Sequence, residues 1–328
     1  MLASVEIAGI AIKVPERTVT NFDLEKLVDT NDEWIKKRTG ISTRHISTGE
    51  KSIDMAVEVA RGAIEQSGID QNDIGLIIAS TITSELVTPG MSGYVQKTLG
   101  IENCANMDVN AGCSGFVYAL STAASLMDTL NLKAALVVSS ETLSTYTDWA
   151  DRTTCVLFGD GAGAVVLKRS DTPRLHFPIL SGTPDHQDVI ICRRDERKTP
   201  FNSIDETQAK RDYIHMDGRE VFSYAVGAAG DVLQQLLDIC GDKPFTKIVP
   251  HQANEKIIDY LKRRLDYNAD QFFLNIADYA NTSSATIPIA LYDACKKGWL
   301  QKGDRVALVA FGAGLTCGGI VVDWTISL

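Results

Sequence analysis

The chain has 328 residues, 45% hydrophobic and 23% charged, which fits a globular protein with one large domain or two of ordinary size. Its net charge of −10 argues against a nucleic-acid-binding protein, because such proteins present a basic surface. The seven cysteines include no CxxC pair, so we expect no metal site, and reduced thiols in a cytoplasmic protein. No apolar run reaches the roughly 18 residues that a membrane span requires.

Helical and strand patterns alternate through the first half of the chain. Residues 1–14 are predicted to form a first strand, with no basic leader or cleavage-like signal. The patterns that follow predict helices at 53–67, at 89–99 and from 116 onward, and strands at 74–80, 107–110, 134–139 and 163–167. This alternation indicates an α/β layered architecture.

The second half repeats this plan. Its patterns predict helices at 221–239 and 254–265, strands at 246–250 and 305–310, and a further helix that opens at 281–284. Ser80 and Cys113 are 33 residues apart, and His251 and Asn281 are 30 apart. Order and spacing therefore predict two duplicated α/β halves, 1–172 and 173–328, with Asn281 in the position that corresponds to Cys113.

Cys113 is the first candidate for chemistry. It lies between small residues in the segment 110–115, after an apolar stretch and directly before a helical pattern. The positive end of a helix dipole lowers the pKa of a thiol, so we predict that Cys113 is a nucleophile. The alternative is a buried structural cysteine.

His251 and Asn281 are the predicted partners of this thiol. His251 follows an apolar strand, at the edge where α/β sheets bind ligands, whereas His215 lies in an alternating stretch and is predicted to be structural. Asn281 is either a helix cap or an amide donor to an oxyanion or enolate. The glycine-rich run 311–316 can aim backbone N–H groups at a thioester oxygen. A similar run at 158–163 precedes a strand, so it is not interpreted as a phosphate loop.

One long segment, 184–211, is polar and charged without clear periodicity. Long loops in compact domains tend to be functional or mobile. The segment is therefore predicted to be either a cap over the site or a solvated surface insertion.

Seven motifs, in this order, resemble the β-ketoacyl-acyl-carrier-protein synthase III enzymes of the thiolase superfamily. They are WIKKRTGI at 34–41, the Cys113 turn, FGDGAGA at 158–164, MDGREVF at 216–222, VPHQAN at 249–254, YANTSSATIPIAL at 279–291 and FGAGLT at 311–316. The resemblance implies an α/β thiolase-like fold, with two duplicated halves in an α-β-α-β-α arrangement. It also implies that the chain pairs with a second copy of itself in a homodimer.

The resemblance further implies the reaction. Cys113, His251 and Asn281 form the catalytic triad, and Cys113 takes an acyl group from acyl-coenzyme A. Malonyl-acyl carrier protein then loses carbon dioxide and condenses with the acyl group, which initiates fatty acid synthesis. The backbone N–H groups of Cys113 and Ala313 hold the thioester oxygen. No cofactor is permanently bound, and acyl-coenzyme A is a substrate.

Binding residues follow from the same resemblance. Trp34 and Arg152 flank the adenine of coenzyme A, and Arg38 meets its phosphates. Asn254 contacts the pantetheine arm, and Gly218 lets backbone line the channel. The resemblance also places Thr88, Phe158, Met216 and Phe222 in the acyl pocket. The charge pattern adds a hypothesis of its own: the basic residues on the helix after His251 are either a solvated face or the docking surface for the acidic carrier protein, and they are Lys256, Lys262, Arg263 and Arg264.

The sequence departs from the family pattern at two places and leaves alternatives open. Cys317 stands where family members commonly have Trp, and the segment 83–90 lacks the usual aromatic-Pro pattern, so small Thr88 predicts a roomier pocket. The main alternative is a related condensing enzyme of secondary metabolism with an unusual acyl or aryl primer. A thiolase needs a second active-site cysteine, and the position of Cys317 does not match one. A hydroxymethylglutaryl-coenzyme A synthase needs a glutamate that no motif here provides, and the intact triad argues against an inactive partner subunit. A cysteine hydrolase is a further alternative.

Overall fold

A computed structural model describes residues 4–193, 200 and 213–328. The strands are β1 (Val5–Lys13), β2 (Thr18–Thr20), β3 (Thr43–His45), β4 (Ile74–Ser80), β5 (Ala105–Val109), β6 (Ala134–Thr142), β7 (Asp160–Arg169), β8 (Leu175–Gly182), β9 (Ile190–Ile191), β10 (His215–Met216), β11 (Lys247–Pro250), β12 (Arg305–Gly312) and β13 (Thr316–Asp323). The helices are α1 (Asn21–Leu24), α2 (Asp32–Thr39), α3 (Ser52–Ser67), α4 (Met91–Leu99), α5 (Gly115–Thr129), α6 (Gly218–Cys240), α7 (Glu255–Leu265), α8 (Ile276–Tyr279) and α9 (Thr286–Lys296). Short 3-10 turns occur at Gly112–Ser114 and Ser283–Ala285, directly before α5 and α9.

Two main sheets repeat one strand order. The first sheet is ordered β1-β7-β6-β4-β5, and the second, read from its far edge, is β8-β13-β12-β11. In the first sheet β4 pairs in parallel with both β6 and β5, and in the second β11 pairs in parallel with β12. The pairs β1–β7, β6–β7, β12–β13 and β13–β8 are antiparallel. Within the described residues, the second sheet has only a single parallel bridge, between Ile248 and Phe272, where the first has β5. The predicted correspondence of 74–80 with 246–250, and of 134–139 with 305–310, is confirmed.

Alternating side chains on the strands divide the interior into three apolar layers. Along β6, Val137 packs into the cluster between the two sheets, and its neighbour Leu136 packs into the cluster beneath α3 and α4. The central cluster contains Phe116 of α5 and Leu291 of α9, so these helices lie between the sheets. Helices α6 and α7 cover the other face of the second sheet, for example through Leu233. The five layers confirm the predicted α-β-α-β-α arrangement.

The connection between the halves runs from the end of β7 to the start of β8. The predicted boundary between residues 172 and 173 lies in this connection. It stays a prediction, because the central apolar cluster is shared by both sheets.

Several predicted bounds shift by a few residues for local reasons. The helix predicted at 89–99 begins at Met91 after the Gly90 cap, and the strand predicted at 107–110 is β5. Helix α7 begins at Glu255, because the Asn254 side chain accepts the Lys256 N–H at 3.0 Å and caps the helix. His215 lies in β10, paired with β9, as its alternating pattern predicted.

The polar segment 184–211 is described only in part. Residues 184–193 include β9, whereas 194–199 and 201–211 lie outside the described residues, and with them most of the predicted cap. Over the ranges 4–193, 200 and 213–328, no helix combines the length and apolarity needed to cross a membrane.

Candidate active site

Cys113 lies in the 3-10 turn between β5 and α5, the strand-to-helix position that the sequence predicted. Gly112 has a φ of +53°, and a Cβ there would come within 3.0 Å of the Ala313 backbone nitrogen. A Cβ on Gly312 would meet the Cys113 backbone nitrogen at 2.6 Å. The two glycines therefore let the turn lie directly against the loop after β12. This contact brings the backbones of Cys113 and Ala313, the predicted oxyanion pair, next to each other.

His251 follows β11, and its ring is held by the start of α9. Its backbone N–H donates to Val309 O at 2.8 Å, and its Nδ1 lies 2.6 Å from Thr286 Oγ1. The Thr286 hydroxyl also lies 3.0 Å from the Ser283 carbonyl oxygen. The hydroxyl has a single proton: when it donates to this carbonyl it accepts from Nδ1–H, and when it turns to an unprotonated Nδ1 it donates there. The other ring nitrogen, Nε2, is correspondingly a base or a donor.

Asn281 has a fixed amide orientation. Its Oδ1 accepts the Ser283 N–H at 2.8 Å, and its backbone exchanges hydrogen bonds with Leu157 and Gly159. Because the oxygen is already used, the NH₂ group is the end that remains to donate toward a ligand. Asn281 does not cap α9, which starts at Thr286.

The position predicted for Asn281 within the duplication is wrong by three residues. The two turns share their backbone: Gly112 and Ser283 have φ of +53° and +51°, and each turn leads directly into a helix. In this register Ser284 corresponds to Cys113. Ser284 is 33 residues after His251, the same spacing as Ser80 to Cys113. The spacing in the sequence therefore already indicates Ser284, and not Asn281, as the counterpart of Cys113.

Burial sets the protonation of both reactive groups. It raises the pKa of Cys113 to about 11, opposed by the Ser283 hydroxyl and assisted by the charge of Glu141. Burial also lowers the pKa of His251 to about 3. The prediction that the helix terminus lowers the thiol pKa is therefore wrong, because desolvation dominates. Near pH 7 the thiol and the imidazole are both neutral.

Glu141 is a buried carboxylate that the sequence reasoning missed. It is the second-last residue of β6 and accepts hydrogen bonds from Thr83 Oγ1 at 2.6 Å and Ser284 Oγ at 2.8 Å. Thr81 and the Ile82 backbone N–H also donate to it, each at 3.1 Å. It thus ties the loop after β4 to the Asn281 turn. An acidic residue at the end of an apolar strand is a weak sequence signal, because the partners are distant in the chain.

A cavity of about 620 Å³ opens over Cys113, His251 and Asn281, and all three line it. Most of the other predicted site residues also line it: Trp34, Arg38, Phe158, Met216, Gly218, Phe222, Asn254, Lys256 and Ala313. Its remaining lining is largely apolar, including Ile82, Leu143, Leu157 and Phe311. The geometry is a deep apolar pocket with a few convergent polar groups at one end.

Arg152 does not line the cavity. Its guanidinium lies directly over the Trp34 ring, 4.5 Å from the centroid, and its Nη1 donates to Asp29 O at 2.7 Å. This separation is direct cation–π contact and leaves no space for a base between the two side chains. Arg38 lies 5.7 Å from the same ring centroid. The predicted adenine clamp is therefore closed in this structure.

Thr88 lies exposed on the loop between β4 and α4 and does not line the cavity of its own chain. Its predicted contribution across a dimer stays a prediction. Cys317 is fully buried in the apolar cluster beneath α6, and burial raises its pKa to about 12. Because Cys317 also does not line the cavity, it cannot act as a second active-site cysteine.

The four basic residues of α7 differ in their surroundings. Lys256 is exposed at the cavity, whereas Lys262 pairs with Asp259 at 3.2 Å. Arg263 donates from Nε to the Asp259 carbonyl at 3.3 Å. Arg264 instead pairs with Asp231 of α6 and donates to the carbonyls of Val226 and Gly227. Lys256, Lys262 and Arg263 thus form a basic surface on α7, whereas Arg264 joins α7 to α6.

Comparison with known proteins identifies the family. The protein-family model for 3-oxoacyl-[acyl-carrier-protein] synthase III matches residues 107–181. The model for the C-terminal part of the same family matches residues 243–324. The chain is 43% identical to the β-ketoacyl-[acyl-carrier-protein] synthase III of Clostridium acetobutylicum over 324 residues, covering 98% of this chain and 99% of that one. It is 42% identical to the enzyme of the same name from Clostridium beijerinckii, covering 98% and 100%.

Solved structures agree with this result. The 3-oxoacyl-[acyl-carrier-protein] synthase III of Aquifex aeolicus has a TM-score of 0.89 at 37% identity, covering 98% of this chain and 100% of that one. The priming β-ketosynthase of the R1128 polyketide pathway has a TM-score of 0.92 at 31% identity, covering 100% and 98%. The predicted thiolase-like fold is confirmed. The chain belongs to the β-ketoacyl-acyl-carrier-protein synthase III family of acyltransferases.

Proposed function

We propose that this protein loads an acyl group from acyl-coenzyme A onto Cys113 and condenses it with malonyl-acyl carrier protein. The product is 3-ketoacyl-acyl carrier protein, and the step initiates fatty acid synthesis. The observation that carries this proposal is the convergence of Cys113, His251 and Asn281 on one apolar cavity, in a chain of this family. The reaction needs a reduced thiol, which fits the cytoplasm.

Loading starts from a neutral thiol and a neutral imidazole. As the Cys113 sulfur attacks the acyl carbonyl, its proton passes to His251 Nε2, and from there to the departing coenzyme A sulfur. The backbone N–H groups of Cys113 and Ala313 stabilise the oxyanion. The burial that raises the thiol pKa makes this proton acceptor necessary, because little thiolate exists at neutral pH.

Condensation uses His251 and Asn281 as donors. Both donate to the malonyl thioester oxygen as carbon dioxide leaves, and they stabilise the enolate that forms. His251 donates from Nε2 when the Thr286 hydroxyl donates to Nδ1, which is 2.6 Å away. The enolate carbon attacks the acyl group, and Cys113 leaves as the thiolate. Departing carbon dioxide supplies the carbanion, so we propose no permanently bound cofactor.

Substrate recognition is assigned by position along the cavity. The adenine displaces Arg152 from Trp34, and Arg38 meets the phosphates. The pantetheine arm passes Gly218 and Asn254. The acyl chain occupies the apolar end, formed by Phe158, Met216 and Phe222. Lys256 and its neighbours on α7 present a local basic surface to the acidic carrier protein, although the net charge of the chain is −10.

A homodimer is proposed from the exposed edge of the first sheet. Among the described residues, strand β5 pairs with β4 alone, and most of its side chains, including that of Met107, are exposed in the single chain. An unpaired edge strand is a template for pairing with another strand. Pairing of two β5 strands would join the sheets of two copies. It would also cover the nearby loop that carries Val87, which is 67% exposed, and Thr88.

Mass spectrometry after incubation with a panel of acyl-coenzyme A species tests this function. We expect a covalent acyl adduct on Cys113 that is converted to a ketoacyl product only when malonyl-acyl carrier protein is added. The Cys113→Ala protein is the control and should carry no adduct. Release of free acid alone would indicate a hydrolase, and a complete lack of adduct would indicate an inactive subunit.

The same panel addresses the second candidate function. The similarity to the R1128 priming β-ketosynthase, at 31% identity, is the observation behind this candidate, a condensing enzyme of secondary metabolism. In that case an unusual acyl or aryl coenzyme A ester would load faster than acetyl-coenzyme A. Fastest loading by acetyl or short branched esters would support the fatty acid role.

A further inference from the structure

Ser283 occupies a position in its turn where the other half of the protein has a glycine. It corresponds to Gly112, and its φ is +51°. A left-handed backbone is unfavourable for a residue with a Cβ and is ordinarily assigned to glycine. The serine side chain is therefore retained at a conformational cost.

Burial of the Ser283 hydroxyl is a second energetically unfavourable feature of this residue. The residue is 1% exposed and lines the cavity, and its Oγ has no hydrogen-bond partner of ordinary geometry within the described part of the chain. A buried hydroxyl without a partner is destabilising and rare. Two unfavourable features at one cavity residue point to a functional role.

The backbone of Ser283 already serves the other two triad members. Its N–H holds Asn281 Oδ1 at 2.8 Å, and its carbonyl faces the Thr286 hydroxyl that contacts His251. Those contacts do not involve the side chain. The hydroxyl instead lies close enough to the Cys113 thiol to lower its pKa against the effect of burial.

We propose that Ser283 is a further catalytic residue, whose Oγ–H donates a hydrogen bond to Cys113 Sγ when the sulfur becomes negative. This proposal rests on the proposed function. During loading, the S–H bond breaks and the S–C bond forms, so charge develops on the sulfur. During condensation, the C–S bond of the tetrahedral intermediate breaks and the sulfur leaves as a thiolate. The hydroxyl keeps its proton in both steps and stabilises the sulfur as nucleophile and as leaving group.

Decarboxylation requires charge to be stabilised at a different atom. The sulfur is then acylated and uncharged, and the developing charge lies on the enolate oxygen near His251 and Asn281. Loss of the Ser283 hydroxyl should therefore affect loading far more than decarboxylation. A residue that only shaped the turn would act through Asn281 and Thr286, so it would affect decarboxylation at least as much as loading.

The Ser283→Gly protein tests this proposal, because glycine adopts the left-handed turn freely, as Gly112 does. We expect the rate of Cys113 acylation by acyl-coenzyme A to fall on the order of 10-fold or more, the usual effect of a hydrogen bond to a charged group. The pH midpoint for alkylation of Cys113 by iodoacetamide should shift upward. Ser283→Ala, which keeps the Cβ, should behave in the same way.

Malonyl-acyl carrier protein decarboxylation, measured in a Cys113→Ala background, supplies the comparison. The loss in loading should exceed the loss in decarboxylation at least roughly 10-fold. Wild-type loading in Ser283→Gly, or equal losses in both reactions, would overturn the proposal. Alkylation needs no substrate, so an unchanged midpoint would overturn it even if the protein proved not to condense. Absence of any acyl adduct on the wild-type protein would instead count against the proposed function.

Discussion

The two halves of this protein build the same turn but use it differently. In the first half, the turn presents Cys113 to the cavity. In the second, the matching residue is Ser284, which is fully buried and bonded to Glu141 at 2.8 Å. The second half contributes Asn281, three residues earlier, and His251 at the end of its parallel strand. The duplicated backbone therefore provides the same turn twice. In the proposed mechanism, the side chains of the first turn supply the nucleophile and those of the second half supply the donors.

This division of labour has a physical reason. In the proposed mechanism the nucleophile must reach the substrate carbon, and Cys113 lines the cavity on backbone that lies against Gly312. The proposed donors must be held in fixed orientations, and Asn281 and His251 are buried and bonded to Ser283 and Thr286. Preorganised donors stabilise developing charge without reorganisation.

The largest effects should come from separating the two roles. Cys113→Ala should abolish adduct formation and condensation but keep malonyl decarboxylation, because the donors of the second half remain. Asn281→Ala should lose on the order of 100-fold in decarboxylation and still form the acyl adduct. Adduct mass and carbon dioxide release measure the two activities. If Asn281→Ala lost both activities equally, the halves would not act separately.

Thr286 should produce the next largest effect. Valine keeps the shape of the side chain but leaves Nδ1 of His251 buried without a partner, which typically costs about 1–3 kcal/mol. We expect decarboxylation to fall by roughly 10-fold or more in Thr286→Val, and the free energy of unfolding in urea to fall by about 1–3 kcal/mol, with the protein still folded under assay conditions. Thr286→Ser restores the hydroxyl and should recover most of the rate. A Ser variant as impaired as the Val variant would show that packing, not the hydroxyl, matters.

The pH dependence of Cys113 alkylation distinguishes a neutral thiol beside a neutral imidazole from a thiolate–imidazolium ion pair. The pKa of Cys113 is raised to about 11 and that of His251 is lowered to about 3. The thiolate fraction therefore rises as pH rises, roughly tenfold per unit below the thiol pKa. Alkylation by iodoacetamide should increase through pH 7–10 without an inflection near 6.5. A plateau in that range would indicate a thiolate–imidazolium pair.

Sequence alone could predict the features that are encoded locally. Continuous apolar runs gave β4, β6 and β12, and small residues before a helical pattern located the Cys113 turn. The thiol pKa direction was wrong because the helix start is local, whereas the burial comes from the loop at Gly312, about 200 residues away in the chain. Thr286 and Ser283 were missed for the same reason, since their roles depend on contacts with His251 and Cys113.

The smallest expected effect concerns the outer helices, where the halves again differ. Helix α7 carries Lys256, Lys262, Arg263 and Arg264, whereas its counterpart α4 carries Lys97 as its one basic residue. Carrier-protein docking on α7 predicts that charge reversal of Lys256 and Arg263 raises the KM for malonyl-acyl carrier protein without changing acyl-coenzyme A loading. Each rim charge should contribute a few-fold at low salt, and the effect should shrink as salt is added.

Arg263→Glu is the cleaner of the two changes, because Lys256 also lines the cavity and can meet coenzyme A. Lys97→Glu on α4 is the matched control and should leave the KM unaltered, since it reverses one exposed charge on the half that does not dock. Arg264→Glu is unsuitable as a control, because Arg264 joins α7 to Asp231 of α6. Equal KM changes from Lys97→Glu and Arg263→Glu would mean that net charge, and not the α7 surface, guides the carrier protein.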